Sequence, residues 1–153
     1  MKVLIATDGS DFSRVAIEKF CEILAISDDT QIKILSIYEQ MAPIAAEPFA
    51  VSAQYYQEMM GLAHKQCEGF AEASAEQIRK ACPDAECRIE TAVRMGAPAR
   101  VVVDEAREWG ADLIVVGSHG RGFWGRLTLG SVSDAIVHHA PCSVMIARRE
   151  MED

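Results

Sequence analysis

The sequence predicts an α/β fold, a single domain over residues 1–153 built on an open parallel five-stranded sheet with helices on both faces. Three observations lead there. Apolar runs such as Val3-Leu4-Ile5-Ala6 and Leu113-Ile114-Val115-Val116 are continuous rather than alternating, as in strands covered on both sides. Segments with helical period separate them. The resulting βαβαβαβαβ alternation implies parallel neighbours, because these need crossover connections. A chain of 153 residues with half its residues hydrophobic is long enough to bury a core, and its composition excludes disorder.

The first run ends in Thr7-Asp8-Gly9-Ser10, a turn followed by a helix start. Ala16, Phe20, Ile23 and Leu24 then recur on one helical stripe, and Ser27-Asp28-Asp29 stops it. Residues 32–37 read as a second buried strand. Residues 38–51 carry Pro43 and Pro48 without a clear period and read as a loop. A long helix is expected over 52–81, bent or interrupted near Gly61 and Gly69, with Pro83 just past its end. Residues 86–93 alternate more and suit an edge strand. Gly96-Ala97-Pro98 opens a helix that draws apolar contacts from Val101, Val102, Ala106 and Trp109, and Gly110 ends it. Strand 113–116 follows, then a loop over 117–129, a helix from about Gly130 to His139, and a last strand over 143–147.

The formal net charge is −8, which argues against duplex DNA or an anionic membrane as the main partner. No apolar run is long enough for a membrane span or a signal peptide. Five cysteines, scattered and without a CxxC pair, fit neither a disulfide framework nor a structural zinc site, although Cys82 and Cys87 could pair under oxidation. The expectation is a reduced, cytoplasmic protein. His138 and His139 are adjacent and point to different helix faces, so they make no metal pair.

Function is expected where open parallel sheets hold ligands, in the loops beyond the carboxyl ends of the first and fourth strands. The segment 117–131 holds five of the ten glycines. Glycine lets backbone N–H groups approach a ligand, and a helix beginning at the end of such a loop directs unpaired N–H groups at an anion. Residues 113–149 also carry four arginines against Asp134 alone, so a small anion has an acid-poor place to bind. A plain surface turn is the competing reading, but connections of this kind need only about 2–6 residues. Gly120-x-Gly122-x-x-Gly125 matches a dinucleotide fingerprint only formally, because it follows the fourth strand and its helix starts too late. No lysine is present for a P-loop, and nothing resembles a kinase catalytic loop.

The spacing Gly117-x2-Gly120-x9-Gly130-Ser131 resembles that of the nucleotide-binding universal stress proteins. The resemblance extends over nearly the whole chain, through the opening strand ending at Asp8, the Gly96-Ala97-Pro98 start, Asp112-Leu-Ile-Val-Val-Gly-Ser-His-Gly, and the closing Ala140-Pro-Cys-Ser-Val-Met-Ile-Ala. It implies strand order 3-2-1-4-5 and a homodimer through the last strand, 143–147. It also implies binding of ATP, or AMP or ADP, with Mg²⁺ or Mn²⁺ as a possible companion and no metal ligands assigned. Asp8 would lie by the ribose and phosphates, Ile37 by adenine through its backbone, and Gly117 by the ribose. Gly120, Gly130, Ser131, Val132 and Ser133 would meet the phosphates.

Arg121 and Arg126 are phosphate candidates on charge grounds alone, and Ala6 stands where some ATP-binding relatives have proline. Asp8 can equally be a turn residue capping the first helix. His119 lies within the glycine loop, and Phe123 and Trp124 either cover the nucleotide or meet a partner. The residue types supply phosphate donors but no catalytic base. The expectation is therefore a stress-response sensor or regulator with at most weak ATPase activity. The alternatives are a slow hydrolase or transferase using Asp8 with a divalent metal, or a dimeric interaction module with no ligand. A Gly130→Val change is expected to abolish binding while the fold survives.

Overall fold

The computed structural model describes residues 1–40, 52–83, 87–120 and 129–148. Its elements in chain order are β1 (Lys2–Thr7), α1 (Asp11–Ile23), β2 (Gln31–Tyr38), α2 (Ala53–Ala81), β3 (Arg88–Met95), α3 (Pro98–Trp109), β4 (Leu113–Gly117), α4 (Ser131–His139) and β5 (Ser143–Ala147). The strands form one parallel sheet in the order β3-β2-β1-β4-β5, as expected.

Period-two alternation divides the central strands between two cores. Val3, Ile5, Ile32 and Ile34 pack on α1 and α2, where Ile17, Phe20 and Ile78 are fully buried. Leu4, Leu35, Ile114 and Val116 pack with Val102 of α3 and Ile136 of α4 on the other face. Each fully buried side chain of this size contributes roughly 1.5–3 kcal/mol by leaving water, before the entropy of ordering it is counted. Because both faces are covered, the strands could read as unbroken apolar runs.

Local signals set most element ends. Ser10 caps α1 by accepting a hydrogen bond from the Ser13 N–H, Pro98 sits in the first turn of α3, and Gly110 closes α3 in the left-handed conformation. α2 is one continuous helix through Gly61 and Gly69, so of the bend or interruption expected there the interruption does not occur; a Cβ at either glycine would meet open space. Ile23 is 66% exposed instead of lying on the buried stripe. It is the last residue of α1, and the chain leaves through extended Leu24, which packs against the core in its place. β3 is an edge strand, as its alternation suggests; the expected start at Glu86 lies outside the described residues.

α3 is tied to the sheet by charge as well as by apolar packing. Lys33, in the middle of β2, has a nearly buried side chain whose Nζ lies 3.0 Å from both Glu90 and Glu105 and 4.7 Å from the centre of a Trp109 ring. Arg94 of β3 also donates to Glu105. Burial alone would lower the Lys33 pKa, but its two carboxylate partners outweigh that and hold it above its ordinary 10.5.

Candidate functional site

From β1 the chain winds outward through β2 and β3, then returns to place β4 and β5 on the other side of β1. The loops that follow β1 and β4 therefore part, and the crevice between them is where such folds hold ligands. A cleft of about 420 Å³ lies there. Its walls come from the ends of β1, β2 and β4 and from the first turns of α3 and α4, and they differ in character. Leu35, Ile37, Pro98 and Val102 make an apolar side, with Glu39 also on the lining. Asp8, His119, Gly120 and the stretch from Gly130 to Ser133 make a polar one.

The polar side begins with the turn after β1. Gly9 has φ +72, and an added Cβ would lie 2.3 Å from the Phe70 ring, so both conformation and packing require glycine there. The turn aims Asp8 back at the start of α1. Its Oδ1 accepts from the Ser10 N–H at 3.0 Å, the Ser10 hydroxyl at 2.6 Å and the Ser13 hydroxyl at 2.8 Å. Asp8 thus carries out the turn role that the sequence allowed, while lying in the cleft. Its Oδ2 lies 3.0 Å from where a Cβ on Gly120 would be, so any larger residue at 120 presses on the carboxylate.

The glycines after β4 have separate causes. At Gly117 a Cβ would come within 2.8 Å of the Phe12 backbone, so its absence lets the start of α1 close onto β4. Gly130 has ordinary extended angles and precedes α4 as its N-cap. A Cβ there would lie 3.2 Å from the His119 Cα and 3.3 Å from the Ser118 carbonyl oxygen, which already accepts the Gly130 N–H. Gly130→Val therefore presses on backbone, which must give by a few tenths of an ångström to admit the side chain.

Ser133 is buried, and its hydroxyl donates to the Gly117 carbonyl at 2.7 Å, which fixes α4 to the end of β4. The first i to i−4 bond of α4 runs from the Asp134 N–H to Gly130. The amides of Ser131, Val132 and Ser133 therefore have no acceptor within the helix, and they face the cleft at its positive end. Ser131 and Val132 are solvent-exposed.

The cleft thus gathers Asp8, Ile37, Gly117, Gly120, Gly130, Ser131, Val132 and Ser133. Arg121, Arg126, Phe123 and Trp124 lie outside the described residues. Leu35, Val102 and Pro98 were not foreseen as cleft residues. The first was readable as the residue two before Ile37 on the same strand face, and the others as an i, i+4 pair in the opening turns of α3. His119 stacks at a tilt on Phe12, with Nδ1 3.1 Å from the Ser118 hydroxyl. His138 and His139 each bond through Nδ1 to a carbonyl of α4, and among the described residues no three His, Cys, Asp or Glu side chains gather as a metal site. A larger open groove of about 730 Å³ runs between α1 and α2, but exposed charged side chains such as Arg14, Glu18 and Lys80 line it, away from the strand ends. Of these two, the first cleft sets an apolar slot beside a helix N-terminus. Among the described residues no helix is long and apolar enough to cross a membrane.

Comparison with known proteins agrees with the fold. A Staphylococcus epidermidis protein assigned to the universal stress proteins is 30% identical over 149 residues, covering 97% of this chain and 84% of its own. Among solved structures, the universal stress protein UspA from Lactobacillus plantarum superposes with a TM-score of 0.75 at 20% identity, covering 97% of each chain. A universal stress protein in complex with cAMP matches at 0.64 and 26% identity, covering 96% of each chain. An Arabidopsis thaliana family member with AMP bound matches at 0.63 and 22%, covering 98% of this chain and 92% of its own. The model of the universal stress protein family matches residues 1–148, and the chain belongs to that family.

Proposed function

We propose that the cleft binds an adenine nucleotide, ATP or its ADP and AMP forms, and that the protein is a stress-response sensor or regulator rather than a turnover enzyme. The observation that carries this reading is the joining of two environments in one crevice: an apolar slot at Ile37 and Val102, and the first turn of α4 with its three free-ended amides. A base and a phosphate group demand that combination. Structural neighbours that hold cAMP and AMP support it. In this reading Ile37 faces adenine, Asp8 and Gly117 the ribose, and Gly120, Gly130, Ser131, Val132 and Ser133 the phosphates, with Arg121 retained on charge grounds. The proposal includes an accompanying Mg²⁺ or Mn²⁺, with no protein ligand assigned to it.

The proposal includes a single domain over 1–153, a cytoplasmic location, and a homodimer through β5, whose outer edge has no strand neighbour among the described residues. Nucleic acid and membrane are not its partners. Catalysis would need a positioned base. Among the described lining residues the titratable side chains are Asp8, committed to its turn, His119, packed on Phe12, and Glu39, just past the end of β2.

Mass spectrometry of the supernatant from denatured, freshly purified protein is expected to show an adenine nucleotide. Its absence, together with no heat on titration with ATP and Mg²⁺, overturns the binding proposal. Steady-state turnover near 1–1,000 s⁻¹ overturns the regulator reading in favour of the enzyme.

A further inference from the structure

α2 is longer than the sheet it covers. It passes the strand ends near His64, whose ring meets Tyr38 of β2 edge-on at 5.6 Å, and near Phe70, which packs at the Gly9 turn. Its buried residues begin only at Cys67. Residues 53–63 therefore run past the sheet by about 16 Å, at about 1.5 Å per residue. Tyr55, Glu58, Leu62, Lys65 and Gly69, spaced 3, 4, 3 and 4 apart, share one line along the helix, and all five are exposed. Tyr55 is 53% and Leu62 63% exposed, large values for apolar side chains. The two charges on this line are not used within the fold. Glu58 accepts only from Gln54 of its own helix, and Lys65 has no ion pair among the described residues. The two glycines of α2 are also unexplained from within. Glycine in a helix interior is less stable than alanine, yet a Cβ at Gly61 or Gly69 would meet nothing within 4 Å.

We propose that this line is a contact face for a second copy of the chain, paired antiparallel about a two-fold axis at Leu62. A two-fold contact must be complementary to itself, and this face meets that condition. Residues seven positions either side of the axis oppose each other, so Tyr55 of each copy lies over Gly69 of the other, where the missing side chain makes room for the ring. Leu62 meets Leu62, and Gly61 beside it permits close approach. Glu58, four positions before the axis, comes beside Lys65 of the second copy, three positions after it, so both charge pairs are of opposite sign. A parallel pairing would set Glu58 on Glu58 and Lys65 on Lys65. Residues 53–66 carry one acid and one base in a chain of net charge −8, so two copies approach here with little repulsion. α2 packs on β2 and β3, away from β5 at the far edge, so this contact is separate from a β5 dimer. The overlap, about four turns of one helix, is smaller than the roughly 1,200 Å² of a stable interface. The contact is accordingly weak: it forms in concentrated protein and leaves the mass of dilute protein unchanged.

Sedimentation velocity of the full chain, over a series from micromolar to millimolar protein, tests this. The wild-type coefficient is expected to hold at low concentration and rise at the high end. Gly69→Leu fills the space needed by Tyr55 and should remove the rise, while its thermal midpoint holds or increases, because leucine is the better helix former and meets open space. Lys65→Glu, which sets acid against acid, should weaken association at least fivefold, and Glu58→Lys with Lys65→Glu should restore it to within twofold of wild type. The proposal is overturned if the wild-type coefficient does not rise, if Gly69→Leu rises equally, or if the double charge swap fails to recover what Lys65→Glu loses. The exposed charge variants decide the matter should Gly69→Leu fail to fold.

Discussion

Ser131 separates binding from folding more cleanly than any glycine of the loop. It is exposed at the first position of α4, so Ser131→Asp places a carboxylate where the helix dipole welcomes it and where a phosphate would have to bind. The thermal midpoint is expected to hold or rise slightly, while nucleotide affinity falls at least tenfold; equal affinity would move the phosphates elsewhere. Ser133 is its counterpart. Ser133→Ala leaves the buried Gly117 carbonyl without its donor, and denaturant unfolding should show a loss of about 1–3 kcal/mol. At this scale the sequence located residues better than it explained them. Gly117 was readable as a ligand-facing glycine, yet its close neighbour is the Phe12 backbone, which no local spacing reveals. Gly120 could be singled out by spacing, but the carboxylate of Asp8 beside it comes from the other end of the chain.

Elements were legible where burial imposes a pattern and less so where chain ends or distant partners decide. The two-sided strands β1 and β4 announce themselves by unbroken apolar runs. Ile23 misled because helical period extends a stripe past the point where the helix has left the sheet. Lys33 interrupts an otherwise apolar strand, and Glu105, one of its two partners, lies 72 residues away. Removing that partner by Glu105→Ala leaves a nearly buried ammonium with half-exposed Glu90 alone, at a cost of the order of 3 kcal/mol. The pH dependence has a definite sign. A lysine held above its ordinary value stabilises fully below about 10.5, and that contribution is lost as pH rises through the raised folded value. Urea unfolding should therefore show wild type losing stability in alkali more steeply than Lys33→Met. Parallel curves would remove Lys33 as a source of that slope.

For the whole molecule, alternation of strands and helices was sufficient for the fold class, and resemblance supplied the strand order that the sheet displays. β5 leaves Val144, Met145 and Ile146 half-covered along an edge that is unpaired among the described residues. Light scattering is expected to give twice the mass of one chain for wild type and a single mass for Val144→Asp; a wild-type monomer would end the β5 dimer proposal. The central claim is that one crevice seats base and phosphate together. Isothermal titration of nucleotide-free protein with ATP and Mg²⁺ tests it most directly, with Ser131→Asp measured beside wild type. Saturable heat at one site per chain, weakened at least tenfold in the variant, is the predicted result. No heat in wild type, or identical curves for the two proteins, would contradict it.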